Sequence, residues 1–250
     1  RAQVSVPTVC ARLSREDELG EGIIMTRLHG QALPQRLLRE ERYGPARQKL
    51  AFQCGEALGR IHGIALDECP AGLRDLHWMA DLQRLQALCD RFGNPSPAHQ
   101  LAISWLQEQA PPPSRRVLCH GDFRLGNLLV NETGLTAVLD WELAHIGHAG
   151  EDLGYLCANV WRFGSAAPVG GFGDYRQLLD GYRSVCAWAP ELEELRLWEL
   201  YAALGWGLVC LIMQELHRSG EDTGLERAAV ARRFSESEVD TLLLLEDLGA

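Results

Sequence analysis

Lysine is almost absent from this chain. Of its 24 basic residues one, Lys49, is a lysine, and the rest are arginines. A lysine ammonium held against a phosphate has a single candidate here, and that candidate sits in a stretch patterned as helix. Genome composition explains the arginine bias more readily than function does. Paired cysteines are missing too. Cys10, Cys54, Cys69, Cys89, Cys119, Cys157, Cys186 and Cys210 are scattered, with no C-x-x-C. That spacing argues against zinc and reads as reduced, mostly buried thiols of a cytoplasmic protein. The opening "RAQVSVPTVCARLSREDELG" has no apolar h-region, so no secretory signal is expected from it. The most apolar run, "LYAALGWGLVCLIM" (200–213), is 14 residues between Glu199 and Gln214. It falls short of the roughly 20 residues a bilayer requires, and reads as a buried helix. A net charge of -10 argues against nucleic acid or an anionic membrane as partner. Internal repeats and low-complexity tracts are also lacking.

What is present is enough for a sizeable core: 250 residues, 46% hydrophobic. "GIIMTRLHG" (22–30) reads as a β-branched strand ending in a turn at Gly30. From Leu33 the pattern turns helical. Leu50, Cys54, Leu58 and Ile61 recur at helical spacing, and "LHWMADLQRLQALCDRF" and "HQLAISWLQEQA" suggest two more helices. "PPPS" (111–114) breaks that run. Short strands follow: "RRVLCHGD", "NLLV" and "LTAVLDWE", with "NETG" (131–134) turning between the last two. After "HIGHAGED" the chain returns to helix. Tyr175, Leu178, Leu179, Tyr182 and Cys186 share one face, a long apolar helix comes next, and 235–248 reads as the last.

The polar residues inside the β insert carry the chemistry. "VLCHGDFRLGNLLV" (117–130) contains H-x-D-x-x-x-x-N, and Asp140 follows in "VLDWE". A carboxylate and an amide chelate a hard cation such as Mg²⁺ through oxygen. A second carboxylate nearby can orient a hydroxyl and accept its proton. Asn127, Asp140 and Asp122 supply these three groups. A base-and-Asn loop, a hairpin, then a strand ending in Asp is the order of a kinase catalytic apparatus.

On these motifs the chain resembles the aminoglycoside phosphotransferase/choline kinase-like family of small-molecule kinases, along nearly its whole length. "IIMTRLHG" is similar to the family's hinge, "EALGRIHGI" to its L-x-x-L-H helix, and "EDLGYL" to its acidic helix start. "DWELAHIG" and "WRFG" resemble a subgroup of kinase-like domains associated with acyl-CoA dehydrogenases. The resemblance implies a protein-kinase-like α+β fold. Residues 1–30 would be the end of an N-lobe and the hinge, and 31–250 a helical C-lobe with the catalytic insert. It implies ATP, Mg²⁺ and a small-molecule hydroxyl acceptor. Asp122 would be the catalytic base, and Asn127 and Asp140 the metal ligands. Backbone groups at Thr26 and Leu28 would meet the adenine edge, with Met25 behind the ring. His120 and Asp152 would support the loop, and Arg124 would sit where it can stabilise charge on the transferring phosphoryl group.

A phosphate-covering Gly-rich loop and its partner lysine are not found. Three explanations stay open: an N-lobe outside this sequence, a degenerate kinase, or a lobe supplied in trans. The rival function is a non-catalytic pseudokinase or nucleotide-binding module. His62 reads as a core histidine, and Trp161, Trp188, Trp198 and Trp206 as core. His145 and His148 at i, i+3 lack a third ligand for zinc. Glu142 reads equally as a site group and an exposed acid. Glu151, Asp174, Glu215, Glu221 and Asp222 are the acids available for a cation-binding cleft. Acceptor identity, ATP versus GTP, and oligomeric state stay open.

Overall fold

The computed structural model describes residues 3–93, 96–109 and 115–250, so the "PPPS" break lies outside the described residues. The chain opens with an exposed antiparallel pair, β1 (Val9–Arg12) and β2 (Ile23–Met25). The strand expected over 22–30 is thus only three residues long, and 26–29 run on without regular structure. Helices α1 (Pro34–Arg39), α2 (Gly44–His62), α3 (Trp78–Arg91) and α4 (Pro97–Glu108) follow. Next come β3 (Arg116–Cys119), β4 (Leu128–Asn131), β5 (Gly134–Val138) and β6 (His145–His148). The chain ends in α5 (Ala149–Cys157), α6 (Tyr175–Arg183), α7 (Leu192–Ser219), α8 (Leu225–Ala231) and α9 (Phe234–Leu248).

Among the described residues the strands form three two-stranded antiparallel sheets: β1–β2, β3–β6 and β4–β5. The β4–β5 hairpin turns as "NETG" suggests. The Asn131 side chain accepts from the amides of Thr133 at 2.8 Å and Gly134 at 3.1 Å. Strand β6 was not legible. Two histidines and a glycine have little strand preference, but β6 pairs with β3 and also bonds the Arg74–Leu76 segment. Those neighbours decide its conformation.

Two cores hold the helical lobe. In one, Leu50, Cys54, Leu58 and Ile61 of α2 are at most 1% exposed and pack with Leu178, Leu179 and Tyr182 of α6. The crossing is close because Gly55 and Gly181 face the opposite backbones. A Cβ on Gly181 would lie 1.9 Å from the Phe52 carbonyl, and one on Gly55 2.0 Å from the Leu178 carbonyl. The other core gathers α3, α4, α7 and α9 around Trp198, Leu204 and Leu208. Helix α7 is long and apolar enough to cross a membrane, but 67% of its most apolar 18-residue window is buried in this core.

The β insert is bolted to the first core through the loop between β3 and β4. Phe123 and Leu125 are fully buried there. The alternating partners Asp122 and Arg124 stay partly exposed, their side chains at 14% and 26%. Phe123 and Leu125, buried on either side of Arg124, anchor the stretch and fix where its polar residues point.

Candidate active site

The loop between β3 and β4 is positioned by one carboxylate. Asp152, in the first turn of α5, is fully buried. Its Oδ2 accepts from the His120 amide at 2.7 Å and its Oδ1 from the Gly121 amide at 2.8 Å. His62 Nε2, at the end of α2, lies 3.2 Å from Oδ2, and His62 Nδ1 lies 3.0 Å from the Tyr182 hydroxyl of α6. Burial alone would push the Asp152 carboxyl up. The His62 ring and the loop amides outweigh it and hold the group below the ordinary carboxylate range. His120 is pinned at both nitrogens. Nδ1 accepts from the Asp122 amide at 3.2 Å and Nε2 donates to the Leu139 carbonyl at 2.8 Å, an arrangement that needs the neutral Nε2–H tautomer. Gly121 takes φ +84°, and a Cβ there would stand 2.5 Å from the Leu143 carbonyl.

The three chemistry-bearing residues converge. Asn127 Nδ2 donates to the Asp122 carbonyl at 2.9 Å and to Asp122 Oδ2 at 2.6 Å. With the amide nitrogen so used, the Asn127 Oδ1 is the atom left to face a cation. The Leu139 amide donates to the Asn127 carbonyl at 2.8 Å, which brings the end of β5 beside the loop. Asp140, the next residue, is exposed and adopts φ +63°. An amide oxygen and an exposed carboxylate at the mouth of one hairpin are the donor set a hard divalent cation takes, so the residues fit Mg²⁺. Arg124 Nε donates to Asp122 Oδ1 at 3.0 Å.

Of the residues expected at a hinge, Met25 ends β2 and is 46% exposed, and Thr26 and Leu28 follow it. The Thr26 amide is taken by the Thr8 carbonyl at 2.9 Å. Lys49 is exposed on α2. The acids named as a possible cleft are dispersed: Glu215 pairs with Arg91, Asp222 with Arg227, and Asp174 caps α6. Glu151 is engaged by His145, its Oε2 2.9 Å from Nε2. His145 Nδ1 meets the Leu143 carbonyl at 2.9 Å, so both ring nitrogens face acceptors. Burial opposes protonation of that ring, but Glu151 prevails and raises its pKa. Cys119, His145 and Glu151 bring ligand atoms within 4.8 Å of one another. Burial keeps the Cys119 thiol protonated and each group has a hydrogen-bond partner, so the cluster is structural. Glu142 is exposed.

A cavity of about 350 Å³ adjoins the loop between α3 and α7. Gly121, Asp152 and Tyr155 form its inner wall, Leu85, Leu88, Leu143 and Leu208 its sides, and Arg74 and Arg84 also line it. Tyr155, on the cavity wall, packs its ring 5.4 Å from that of Trp161. Trp161 stacks on Arg124, whose guanidinium carbon is 4.4 Å from the ring centroid. Neither Tyr155 nor Trp161 was legible as a site residue. "EDLGYL" and "WRFG" drew notice as motifs, but nothing in the spacing says that the two rings meet or that Trp161 turns toward residue 124.

Comparison with known proteins places this geometry. The model of the "Phosphotransferase enzyme family" matches residues 1–188. Mouse acyl-CoA dehydrogenase family member 10 is 30% identical over 148 residues, which are 55% of this chain and 14% of that protein, so the chain spans only a small part of that curated relative. A protein from Ralstonia eutropha JMP134, described as a candidate aminoglycoside phosphotransferase, superposes with a TM-score of 0.79 at 19% identity, covering 98% of this chain and 79% of that one. The GDP complex of aminoglycoside 2'-phosphotransferase-IIIa superposes at 0.64 with 16% identity, covering 95% and 77%. At these identities the structural likeness establishes the fold, which is α+β and protein-kinase-like.

Proposed function

The chain belongs to the phosphotransferase enzyme family, and on that premise we propose that it is a small-molecule kinase moving the γ-phosphoryl group of ATP to a hydroxyl. The observation that carries this is the convergence of Asp122 and Asn127 within one hydrogen-bonded loop, with Asp140 beside it. Asp122 receives the acceptor hydroxyl and takes its proton as the new O–P bond forms and the bond to ADP breaks. Asn127 and Asp140 hold Mg²⁺, which when bound neutralises charge on the nucleotide phosphates. Asn127 also orients Asp122 through Oδ2, and Arg124 offers positive charge to the phosphoryl oxygens. Asp152 and His120 keep the loop in this shape. Most of the rate comes from positioning and electrostatics, with the base adding roughly 10²–10⁴-fold. Met25, Thr26 and Leu28 meet the adenine. Residues 1–30 are the end of an N-lobe and the hinge, and 31–250 the C-lobe.

The cavity's leucines and two arginines support an acceptor with an apolar body rather than a polycation. The acids on its wall, Glu151 and Asp152, are already engaged by histidines. A second reading, a non-catalytic nucleotide-binding module, is favoured by one observation: the chain's single lysine is exposed on α2.

A coupled ADP-release assay on the full-length gene product tests both. The panel spans aminoglycosides, choline, sugars and hydroxyacyl thioesters, with Asp122→Asn as the blank. Acceptor-dependent ADP release that disappears in the blank supports the kinase. Silence together with no MgATP binding supports the second reading.

A further inference from the structure

Arg124 is held more elaborately than an exposed arginine needs to be. Its Nε donates to Asp122 Oδ1 at 3.0 Å and its Nη1 to the Leu125 carbonyl at 3.2 Å. Its flat face lies on the Trp161 indole at 4.4 Å. Tyr155 packs its own ring 5.4 Å from Trp161, and Trp161 stacks edge-on against Trp206 at the same centroid distance. Trp161 is 9% exposed and belongs to a core cluster with Trp206 and Cys210. A buried aromatic wall thus supports one face of a partly exposed cation beside the candidate base.

The two kinds of contact differ in what they tolerate. The Nε–Oδ1 bond is directional and occupies a carboxylate oxygen that an acceptor hydroxyl would use. Contact with a ring face tolerates lateral displacement, because the attraction follows the whole π surface. An arginine seated on Trp161 can leave Asp122 for the transferring phosphoryl group without losing its support.

We propose that Trp161 is a positioning residue that acts through Arg124, keeping its guanidinium between Asp122 and the phosphoryl group during transfer. This rests on the assignment of Asp122 as the base. Trp161 supplies the surface on which the guanidinium moves. The Tyr155 and Trp206 rings pack against Trp161 and back the indole. The acceptor proton passes to Asp122, and Arg124 stays protonated throughout.

The test is a double-mutant cycle on the full-length protein, read together with an arginine NMR signal. Trp161→Leu should lower kcat roughly tenfold, the scale of one cation–π contact, with KM for MgATP nearly unchanged. In an Arg124→Met background the same change should not lower kcat further. Trp161→Phe, which keeps a smaller ring, should fall between and guards against a folding defect. In ¹⁵N spectra the Arg124 Nε–H signal, identified by its loss in Arg124→Met, should be displaced by the indole ring current. It should return to the ordinary arginine position in Trp161→Leu. Equal losses with and without Arg124 overturn the proposal, as does a signal that Trp161→Leu leaves in place. A wild-type protein inactive on every acceptor counts against the kinase assignment instead, and the NMR signal then still decides whether Trp161 seats Arg124.

Discussion

The Asp152 carboxylate and the His62 imidazole meet at 3.2 Å with both side chains fully buried. They stand 90 residues apart in sequence, on α5 and α2. Tyr182, on α6, closes the far side of the ring at 3.0 Å. Three helices therefore converge on one carboxylate, and that carboxylate holds two consecutive amides of the catalytic loop. The helical lobe reaches the candidate base through this junction.

Asp152→Asn keeps the size of the side chain but turns one acceptor into a donor facing an N–H. Expected is a loss of about 2–4 kcal/mol in urea unfolding, the range for breaking a buried hydrogen-bonded charge, with a fall in kcat from the loosened loop.

The same carboxylate makes the acid limb of stability testable. Its folded pKa is depressed, so its contribution is fully present above the unfolded value near 3.9 and is lost as pH falls through the lower, folded value. In Asp152→Asn that limb should flatten relative to wild type when unfolding midpoints are compared across acidic pH.

His145 gives the opposite sign. Its folded pKa is raised by Glu151 against the cost of burial. Stability from this pair is fully present below about pH 6.5 and declines as pH rises through the folded value. Glu151→Gln should remove that decline from urea midpoints measured between roughly pH 6 and 9.

Gly121→Ala should cost about 1–3 kcal/mol, since residue 121 lies at φ +84° and the new Cβ would meet the Leu143 carbonyl. Thermal unfolding reads the loss, and kcat should fall with it because Asp122 is the next residue.

Gly205 lines the cavity from α7, and a Cβ there meets nothing within 4 Å. Gly205→Leu should fill acceptor space while favouring the helix by up to about 1 kcal/mol. The expected result is unchanged or higher Tm, an acceptor KM raised roughly tenfold or more, and an unaltered KM for MgATP. An unaltered acceptor KM would remove the cavity from the acceptor's path.

Much of this molecule was legible from local pattern. The helices at 44–62 and 192–219 follow from apolar spacing, and the "NETG" turn from the Asn131 side chain. Asp122, Asn127 and Asp140 were legible as a set because their order along the chain is the order in which a loop and hairpin present them. Strand β6 was not, because its pairing partners are β3 and the Arg74–Leu76 segment, both distant in sequence. The dispersed acids were not separable from a cleft, since net charge is silent about which arginine each acid meets.

The sequence by itself determined which groups the chain brings together: a carboxylate, an amide and a second carboxylate at fixed spacing, beside apolar residues that anchor the loop. Local chain geometry suffices for that, since residues so close in sequence cannot be far apart in space. Only the tertiary structure decided what surrounds them. His62 became the partner of Asp152, and Trp161 the seat of Arg124, because three helices and a 3-10 turn pack at particular angles. Those angles depend on close approaches such as Gly55 against Gly181, which couple residues more than a hundred positions apart and leave no periodic trace in the chain.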